Sequence, residues 1–169
     1  MLLIVWHSRS GASEALARAA FAGAMNADAT ERDREAGRMA RLVPAANATP
    51  DDFLAASGYL FVGPENLGSM SGAMKETFDR CYYPLLGRIE GRAYATIIAA
   101  GSDGRGAQAQ LDRIVTGWRL RRVAEPMIVM TGAQTPEAIQ AAKHVPATGL
   151  QSASELGHSL AEGLRQGIF

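Results

Sequence analysis

The chain has 169 residues, 47% of them hydrophobic and 20% charged, and its 17 basic residues balance its 17 acidic ones. This composition is typical of a globular protein, and the length predicts one domain over residues 1–169. A formal net charge of zero gives no long-range attraction to nucleic acid or to an anionic membrane, so we expect neither as a partner. The single Cys81 excludes an internal disulfide, and Leu2–Trp6 is too short an apolar run for a signal sequence. We therefore expect a soluble, cytoplasmic protein.

Short apolar runs alternate with helical patterns along the chain. Leu2–Trp6 does not alternate in polarity, which predicts a strand buried on both faces. In chain order, the first part predicts a strand at 2–6, a helix at 13–25, a charged surface connection at 26–37, a weaker strand at 39–45 broken at Pro44, and a short helix at 51–56. The remainder predicts a strand at 59–62, a glycine-rich loop at 63–71, a helix at 72–83 stopped near Pro84, a strand at 93–100, a loop at 101–106, a helix at 107–118, a strand at 127–130, a helical turn within 136–144 and a last helix at 152–164.

Strands that alternate with helices predict an α/β fold, with a parallel sheet covered on both faces and right-handed crossovers. In such sheets, ligands bind outside the carboxyl ends of the strands. Three loops of unusual composition directly follow strands, at residues 7–13, 63–71 and 101–106. We therefore expect these three loops to meet at one edge of the sheet.

The first of these loops combines hydroxyl side chains with a flexible glycine at the start of a helix, in the run Ser8-Arg9-Ser10-Gly11-Ala12-Ser13. Backbone N–H groups at a helix start favour an anion, and hydroxyls add hydrogen bonds without adding charge. The patterns G-x-x-x-x-G-K-[ST] and G-x-G-x-x-G are both missing from this loop, which argues against a nucleoside triphosphate or a dinucleotide. The loop predicts a site for one phosphate monoester, held without a cation. A serine N-cap followed by a turn glycine explains the same residues equally well.

The three loops resemble segments of a known family. The pattern [ST]-x-[ST]-G-x-[ST] after the first strand resembles the phosphate loop of the flavodoxin-like superfamily. The second loop, in GPENLGSMSGAMKETFDR, is similar to the P-x-x-x-G-x-M-S-G-x-M-K segment of WrbA-type NAD(P)H:quinone oxidoreductases and the related FMN reductases. The third loop, in AAGSDGRGAQAQL, resembles the glycine-rich segment after the fourth strand in the same group. The resemblance implies a flavodoxin-like three-layer α/β/α sandwich with five parallel strands in the order 2-1-3-4-5.

The resemblance also implies an FMN site built from the three loops. The flavin phosphate would be wrapped by Ser8, Arg9, Ser10, Gly11, Ala12 and Ser13. The ring would lie along Pro64, Glu65, Asn66, Leu67, Gly68, Ser69 and Met70. Its opposite side would be closed by Gly101, Ser102, Asp103, Gly104, Arg105 and Gly106. We expect no side chain to act as an acid or base and no metal, because no cluster of His, Cys, Asp or Glu has metal-ligand spacing.

The function implied is an FMN-dependent NAD(P)H oxidoreductase, with NAD(P)H as co-substrate and a quinone or similar small molecule as electron acceptor. Two alternatives stay open: a flavodoxin-type protein that shuttles electrons between protein partners, and a flavodoxin-like module that has lost its flavin. The balanced charge and the lack of aromatics in the second and third loops favour the enzyme. Glu65 departs from the family pattern, because an acid near a flavin would disfavour an anionic reduced ring. The apolar run Tyr82–Leu86 ends a helix and suggests either internal packing or a homodimer contact.

Overall fold

The computed structural model describes residues 1–27 and 39–169, and a parallel sheet lies at its centre. The strands are β1 (Leu2–Trp6), β2 (Ala40–Pro44), β3 (Gly58–Asn66), β4 (Ser69–Met70), β5 (Ala93–Ala100), β6 (Arg121–Arg122) and β7 (Met127–Met130). The α-helices are α1 (Ala12–Met25), α2 (Pro50–Ala55), α3 (Gly72–Leu85), α4 (Arg105–Gly117), α5 (Pro136–Gln140) and α6 (Ala147–Gln166), and a 3-10 turn covers Ala45–Asn47.

The strand order is β2-β1-β3-β5, followed by β6 and β7, which both pair with β5. All these pairings are parallel. The predicted order 2-1-3-4-5 is therefore confirmed, with a fifth strand that is divided into two pieces. Pro126 lies directly before β7 and has no N–H to donate, which explains why the ladder along β5 is interrupted there.

The sheet is buried on both faces, as the non-alternating strands predicted. Leu2 and Ile4 of β1 point to one face, and Leu3 and Val5 point to the other; none of them is more than 1% exposed. Helices α1 and α6 cover the first face, through buried residues such as Leu16, Ala20, Ala153 and Leu160. Helices α2, α3 and α4 cover the second face, around an aromatic cluster of Phe53, Tyr59, Phe61, Phe78 and Trp118. The three-layer α/β/α architecture is thereby confirmed.

The prediction of a glycine-rich loop at 63–71 is wrong for most of that range. Strand β3 continues to Asn66, turns tightly at Leu67 and Gly68, and returns as β4, with Glu65 opposite Met70 in antiparallel pairing. Both turn residues have positive φ, 51° at Leu67 and 73° at Gly68, as a two-residue hairpin turn requires. Leucine is an unusual residue in this conformation, so the sequence carries a clear hairpin signal only at the glycine. We call residues 64–70 the hairpin.

Several helix boundaries also differ from the predictions. Helix α4 begins at Arg105 rather than at Ala107, α3 continues past Pro84 to Leu85, and α6 runs over 147–166 rather than 152–164. Gly106 favours a loop by its intrinsic propensity, and its helical place is decided by tertiary contact with the hairpin. The surface connection predicted at 26–37 lies, from residue 28 onward, outside the described residues. The homodimer contact predicted at Tyr82–Leu86 stays a prediction.

Within the described ranges, none of the helices combines the length and the apolar character that a membrane crossing requires.

Candidate functional site

An open cleft of about 790 Å³ lies at the edge of the sheet where the parallel strands end. Its volume falls within the range of small-molecule and cofactor sites. All three loops predicted to meet there contribute to its walls, and so does a fourth segment after β7 that was not predicted. We call residues 8–13 the serine loop, residues 101–106 the third loop, and residues 131–143 the strap.

The structure brings most of the predicted site residues together, but not all of them. The predicted residues that line the cleft are Ser8, Arg9, Ser10, Ala12, Ser13, Pro64, Glu65, Asn66, Leu67, Gly68, Gly101 and Ser102. The predicted residues that do not line it are Gly11, Ser69, Met70, Asp103, Gly104, Arg105 and Gly106. The lining residues that sequence reasoning missed are Ala99, Ala100, Thr131, Ala133, Ile139, Gln140 and Lys143.

The serine loop bends sharply at Gly11 before α1 begins. Gly11 is the N-cap residue of α1 with φ 95°, and its N–H donates to Ser8 Oγ at 3.0 Å. Ser8 therefore braces the bend as an acceptor and keeps its own hydroxyl hydrogen for another partner. No side chain caps α1 among the described residues, so the N–H groups of its first turn have no side-chain acceptor there. Ala12 and Ser13 of that turn line the cleft.

Ser13 is the most unusual residue of the serine loop. It lies in the first turn of α1 and lines the cleft, and it is only 1% exposed. Its Oγ has no hydrogen-bond partner in the described part of the chain. A buried hydroxyl without a partner costs stability, on the order of 1–3 kcal/mol. An acceptor placed in the cleft would satisfy it.

Glu65 ties the hairpin to the start of α4. Its Oε2 accepts from the Gly104 N–H at 2.6 Å, and its Oε1 accepts from the Ala107 N–H at 3.3 Å. The carboxylate thus satisfies amides at the positive end of α4, where a negative charge is stabilised. Glu65 lines the cleft, but its charge is balanced by these donors. These donors therefore weaken the electrostatic repulsion expected between Glu65 and an anionic, reduced flavin.

Close packing at Gly106 completes this junction. A Cβ atom at Gly106 would lie 2.1 Å from the Gly68 carbonyl oxygen, so only glycine lets the hairpin tip approach α4 this closely. The Met70 N–H donates to Gln110 Oε1 at 2.9 Å, and the Met70 side chain is 6% exposed in the core. Gly106 and Met70 therefore shape the cleft from behind rather than from its surface.

Asp103 and Arg105 bond to each other, with Arg105 Nε donating to Asp103 Oδ1 at 2.5 Å. Both side chains are largely exposed and neither lines the cleft. The geometry therefore shows a solvated loop pair rather than the predicted contact with the ligand. Such exposed pairs contribute little to stability.

The strap connects the third loop to the serine loop across the cleft. At its start, Thr131 donates to the Ala100 carbonyl from N–H at 2.8 Å and from Oγ1 at 3.1 Å. At its end, the Lys143 N–H donates to the Ser10 carbonyl at 2.7 Å. The serine loop itself contains no lysine, and tertiary structure brings the backbone of Lys143 against it.

A sequence signal for the strap did exist. It follows β7, whose carboxyl end lies at the same edge as those of β1, β3 and β5, so the topological argument applied to it as well. Thr135 and Pro136 form a helix start, in which Thr135 Oγ1 accepts from the Ala138 N–H at 3.2 Å. The segment was missed because it lacks the serines and clustered glycines that marked the other three loops.

His7 and Arg9 set the electrostatics at the base of the serine loop. Burial lowers the pKa of His7, and the positive charge of Arg9 lowers that pKa further. Arg9 Nε also donates to Asn66 at 3.2 Å, in the amide orientation that satisfies both ends of the Asn66 side chain. This contact links the serine loop to the hairpin.

Residues 9–135 match the family of NADPH-dependent FMN reductases. The chain belongs to this family. This match confirms the resemblance of the chain to the flavodoxin-like superfamily and its FMN reductase branch. Within the described residues, no group of three or more His, Cys, Asp or Glu could hold a metal ion.

Individual proteins similar to this chain include flavodoxins. A flavodoxin from Aquifex aeolicus (strain VF5) is 29% identical over 115 residues, which are 68% of this chain and 58% of that flavodoxin. The chain therefore matches less than two thirds of that relative. A WrbA-like flavodoxin structure from Agrobacterium tumefaciens superimposes with a TM-score of 0.73 at 16% identity, over 98% of this chain and 97% of the other. An archaeal flavodoxin structure gives 0.72 at 15% identity, over 97% and 98%. At these identities the two structures show the fold.

We expect Glu65→Ala to lower the free energy of unfolding by about 1–2 kcal/mol, because two amides at the start of α4 lose their acceptor. The matched control is Glu155→Ala, which removes an exposed carboxylate on α6 and should change stability by less than about 0.5 kcal/mol. Urea unfolding of both variants measures the difference. Equal stabilities would show that Glu65 does not support the junction between the hairpin and α4.

We expect the free energy of unfolding to fall as the pH is lowered through about 6.5. The unfolded chain takes up a proton on His7 near this pH, whereas burial and Arg9 delay protonation in the folded chain. The variant His7→Gln should show a smaller decrease between neutral pH and pH 5–6, measured by urea unfolding at each pH. His144 and His158 are retained in both proteins, so the difference reports His7. Identical pH profiles would contradict the assignment.

Proposed function

We propose that the chain binds FMN in this cleft, oxidises NAD(P)H and reduces a quinone or a similar small acceptor. The observation that carries the proposal is the partnerless, buried Ser13 hydroxyl beside the uncapped start of α1. Both features would be satisfied by a hydrogen-bond acceptor with several oxygens, and a phosphate monoester is such a group. The proposal inherits its oxidoreductase chemistry from the family and its binding mode from the geometry.

The phosphate end of the ligand would be held by the serine loop. Donors available there are the Ser13 hydroxyl, the Ser8 hydroxyl hydrogen and the first-turn N–H groups of α1. The helix dipole adds attraction for the negative charge. These groups fit a phosphate monoester, and the loop lacks the lysine-containing pattern that binds a nucleoside triphosphate.

The ring would lie between the hairpin and the strap. Ala99, Ala100 and Ala133 line the cleft with small apolar side chains, which a planar ring can approach closely. Leu67, at the tip of the hairpin, and Ile139, on α5, are both exposed and both line the cleft. An apolar ring face would cover these two side chains, which otherwise contact water. Positive φ at Leu67 is maintained by the tight turn and aims an apolar residue at this place.

When bound, FMN would supply the redox chemistry by accepting a hydride from the nicotinamide and returning electrons to the acceptor. The chain's own residues bind and orient the cofactor and limit the access of water. Glu65 keeps its negative charge engaged with α4, so it does not oppose electron density on a neighbouring ring. We assign no acid or base role to any side chain.

The second candidate is a flavodoxin-type protein that carries electrons between protein partners. The similarity to the Aquifex aeolicus flavodoxin favours it. The charge of the cleft favours the enzyme, because Arg9 and Lys143 line it and the Glu65 carboxylate is engaged by amides. A cleft with this charge suits anionic small molecules such as a nicotinamide dinucleotide.

Turnover of purified protein separates the two candidates. Protein reconstituted with FMN should oxidise NADPH or NADH continuously when benzoquinone is added, measured by nicotinamide absorbance. The same protein without FMN is the control and should be inactive. Reduction of the bound flavin only by a chemical reductant or a redox protein, with no nicotinamide consumption, would establish the carrier instead.

The variant Ser13→Ala should shift stability and ligand affinity in opposite directions. Removing a buried hydroxyl that lacks a partner should stabilise the flavin-free protein by about 1 kcal/mol. The same change should weaken FMN binding about tenfold, because the phosphate loses a donor, and leave riboflavin binding unchanged. Thermal unfolding and flavin fluorescence titration measure the two effects. A loss of stability in the flavin-free variant would show that Ser13 is a structural residue.

A further inference from the structure

Lys143 is the one lysine that the strap carries, and it reaches the cleft from far along the sequence. Its backbone N–H donates to the Ser10 carbonyl at 2.7 Å, so the backbone of residue 143 is fastened to the serine loop itself. Its main-chain oxygen also lies close to Gly11, 4.0 Å from the position that a Cβ would occupy there. The side chain lines the same cleft as Ser8, Ser10 and Ser13.

The ammonium of Lys143 is positioned but not neutralised. Its Nζ donates to the Ile139 carbonyl at 2.8 Å and to the Ala141 carbonyl, both near the end of α5. No carboxylate of the described residues forms an ion pair with it. An ammonium has three donors, so one remains for a ligand. The side chain is half-buried, which holds its position and reduces the entropy lost on binding.

The chain's other lysine has the ion-pair partner that is typical of a surface lysine. Lys75 lies on α3 and its Nζ contacts both oxygens of Asp79 at 2.7 Å, four residues further along the helix. Its charge is thus compensated in place. Lys143 differs because its Nζ has only carbonyl partners and because it lines the same cleft as Ser13, whose hydroxyl has no partner in the described part of the chain.

We propose that Lys143 is the cation of the phosphate site and that it makes the chain select a phosphorylated flavin over its unphosphorylated form. This inference rests on the proposed FMN site and adds a residue that the serine loop does not contain. A phosphate monoester carries between one and two negative charges at neutral pH, and an ammonium next to it forms a charge-assisted hydrogen bond. Riboflavin has the same ring without that charge, so Lys143 contributes nothing to its binding.

The strap also explains why this cation can be selective for the phosphate. Lys143 is fastened to the serine loop by its backbone, whereas the ring would lie against Ala133 and Ile139, nearer the start and middle of the strap. One segment therefore contacts both ends of the cleft through different residues. Substitutions in it should act on separate parts of the ligand.

The test compares dissociation constants for FMN and riboflavin, measured by flavin fluorescence on the flavin-free protein. Lys143→Gln should weaken FMN binding by about 10- to 100-fold and riboflavin binding by less than about twofold. Lys143→Arg, which keeps the charge, should stay within a few-fold of the original protein for both ligands. Lys75→Gln is the matched control and should change neither constant.

Salt provides a second readout. The affinity of the original protein for FMN should decrease as sodium chloride is raised from low to physiological concentration, because salt screens charges in an open cleft. Lys143→Gln should show a weaker dependence on salt. Thermal unfolding of each variant verifies that the strap is intact.

The outcomes distinguish the inference from the function on which it rests. Equal losses of FMN and riboflavin in Lys143→Gln would mean that the lysine only supports α5, and unchanged constants would mean that it does not touch the phosphate; either result overturns the inference and leaves the FMN site standing. Failure of the original protein to bind FMN at all would overturn both.

Discussion

Parallel pairing of the strands is the constraint on which the cleft depends. Since β1, β3, β5 and β7 run in the same direction, their carboxyl ends must lie at one edge of the sheet. The segment after each strand therefore starts at that edge, and four segments distant in sequence come together there. Burial on both faces stabilises this arrangement, because each strand is covered by helices and cannot turn over without exposing its apolar residues.

Noncovalent contacts between the four segments hold them in place. Arg9 contacts Asn66, the Glu65 carboxylate contacts amides at the start of α4, Thr131 contacts Ala100, and Lys143 contacts Ser10. Each contact joins neighbouring segments, so the walls of the cleft are set before any ligand binds. This prior order lowers the entropic cost of binding. The Ser13 hydroxyl lines this cleft and has no partner in the part of the chain that the structure describes, and a phosphate would satisfy it.

The distribution of charge follows from the same contacts. Glu65 lines the cleft but its carboxylate is engaged by two backbone amides, and Asp103 is paired with Arg105 outside the cleft. Arg9 and Lys143 remain as cations on the lining. A chain with zero net charge thus presents a cleft suited to anions, which composition alone does not reveal.

The sequence by itself determined the parallel α/β fold class and the meeting of three loops through local signals, namely non-alternating apolar runs, helical periodicity and loop residues at strand ends. The strand order and most of the lining residues followed from the resemblance of those loops to a known family. Only the tertiary structure decided that residues 64–70 form a hairpin, that Arg105 and Gly106 are helical, and that Lys143 lies against Ser10. The physical reason is that each of these features depends on a contact with a partner distant in sequence: Glu65 with Gly104, Gly106 with Gly68, and Lys143 with Ser10. Such a contact produces no periodic pattern in the sequence around either residue.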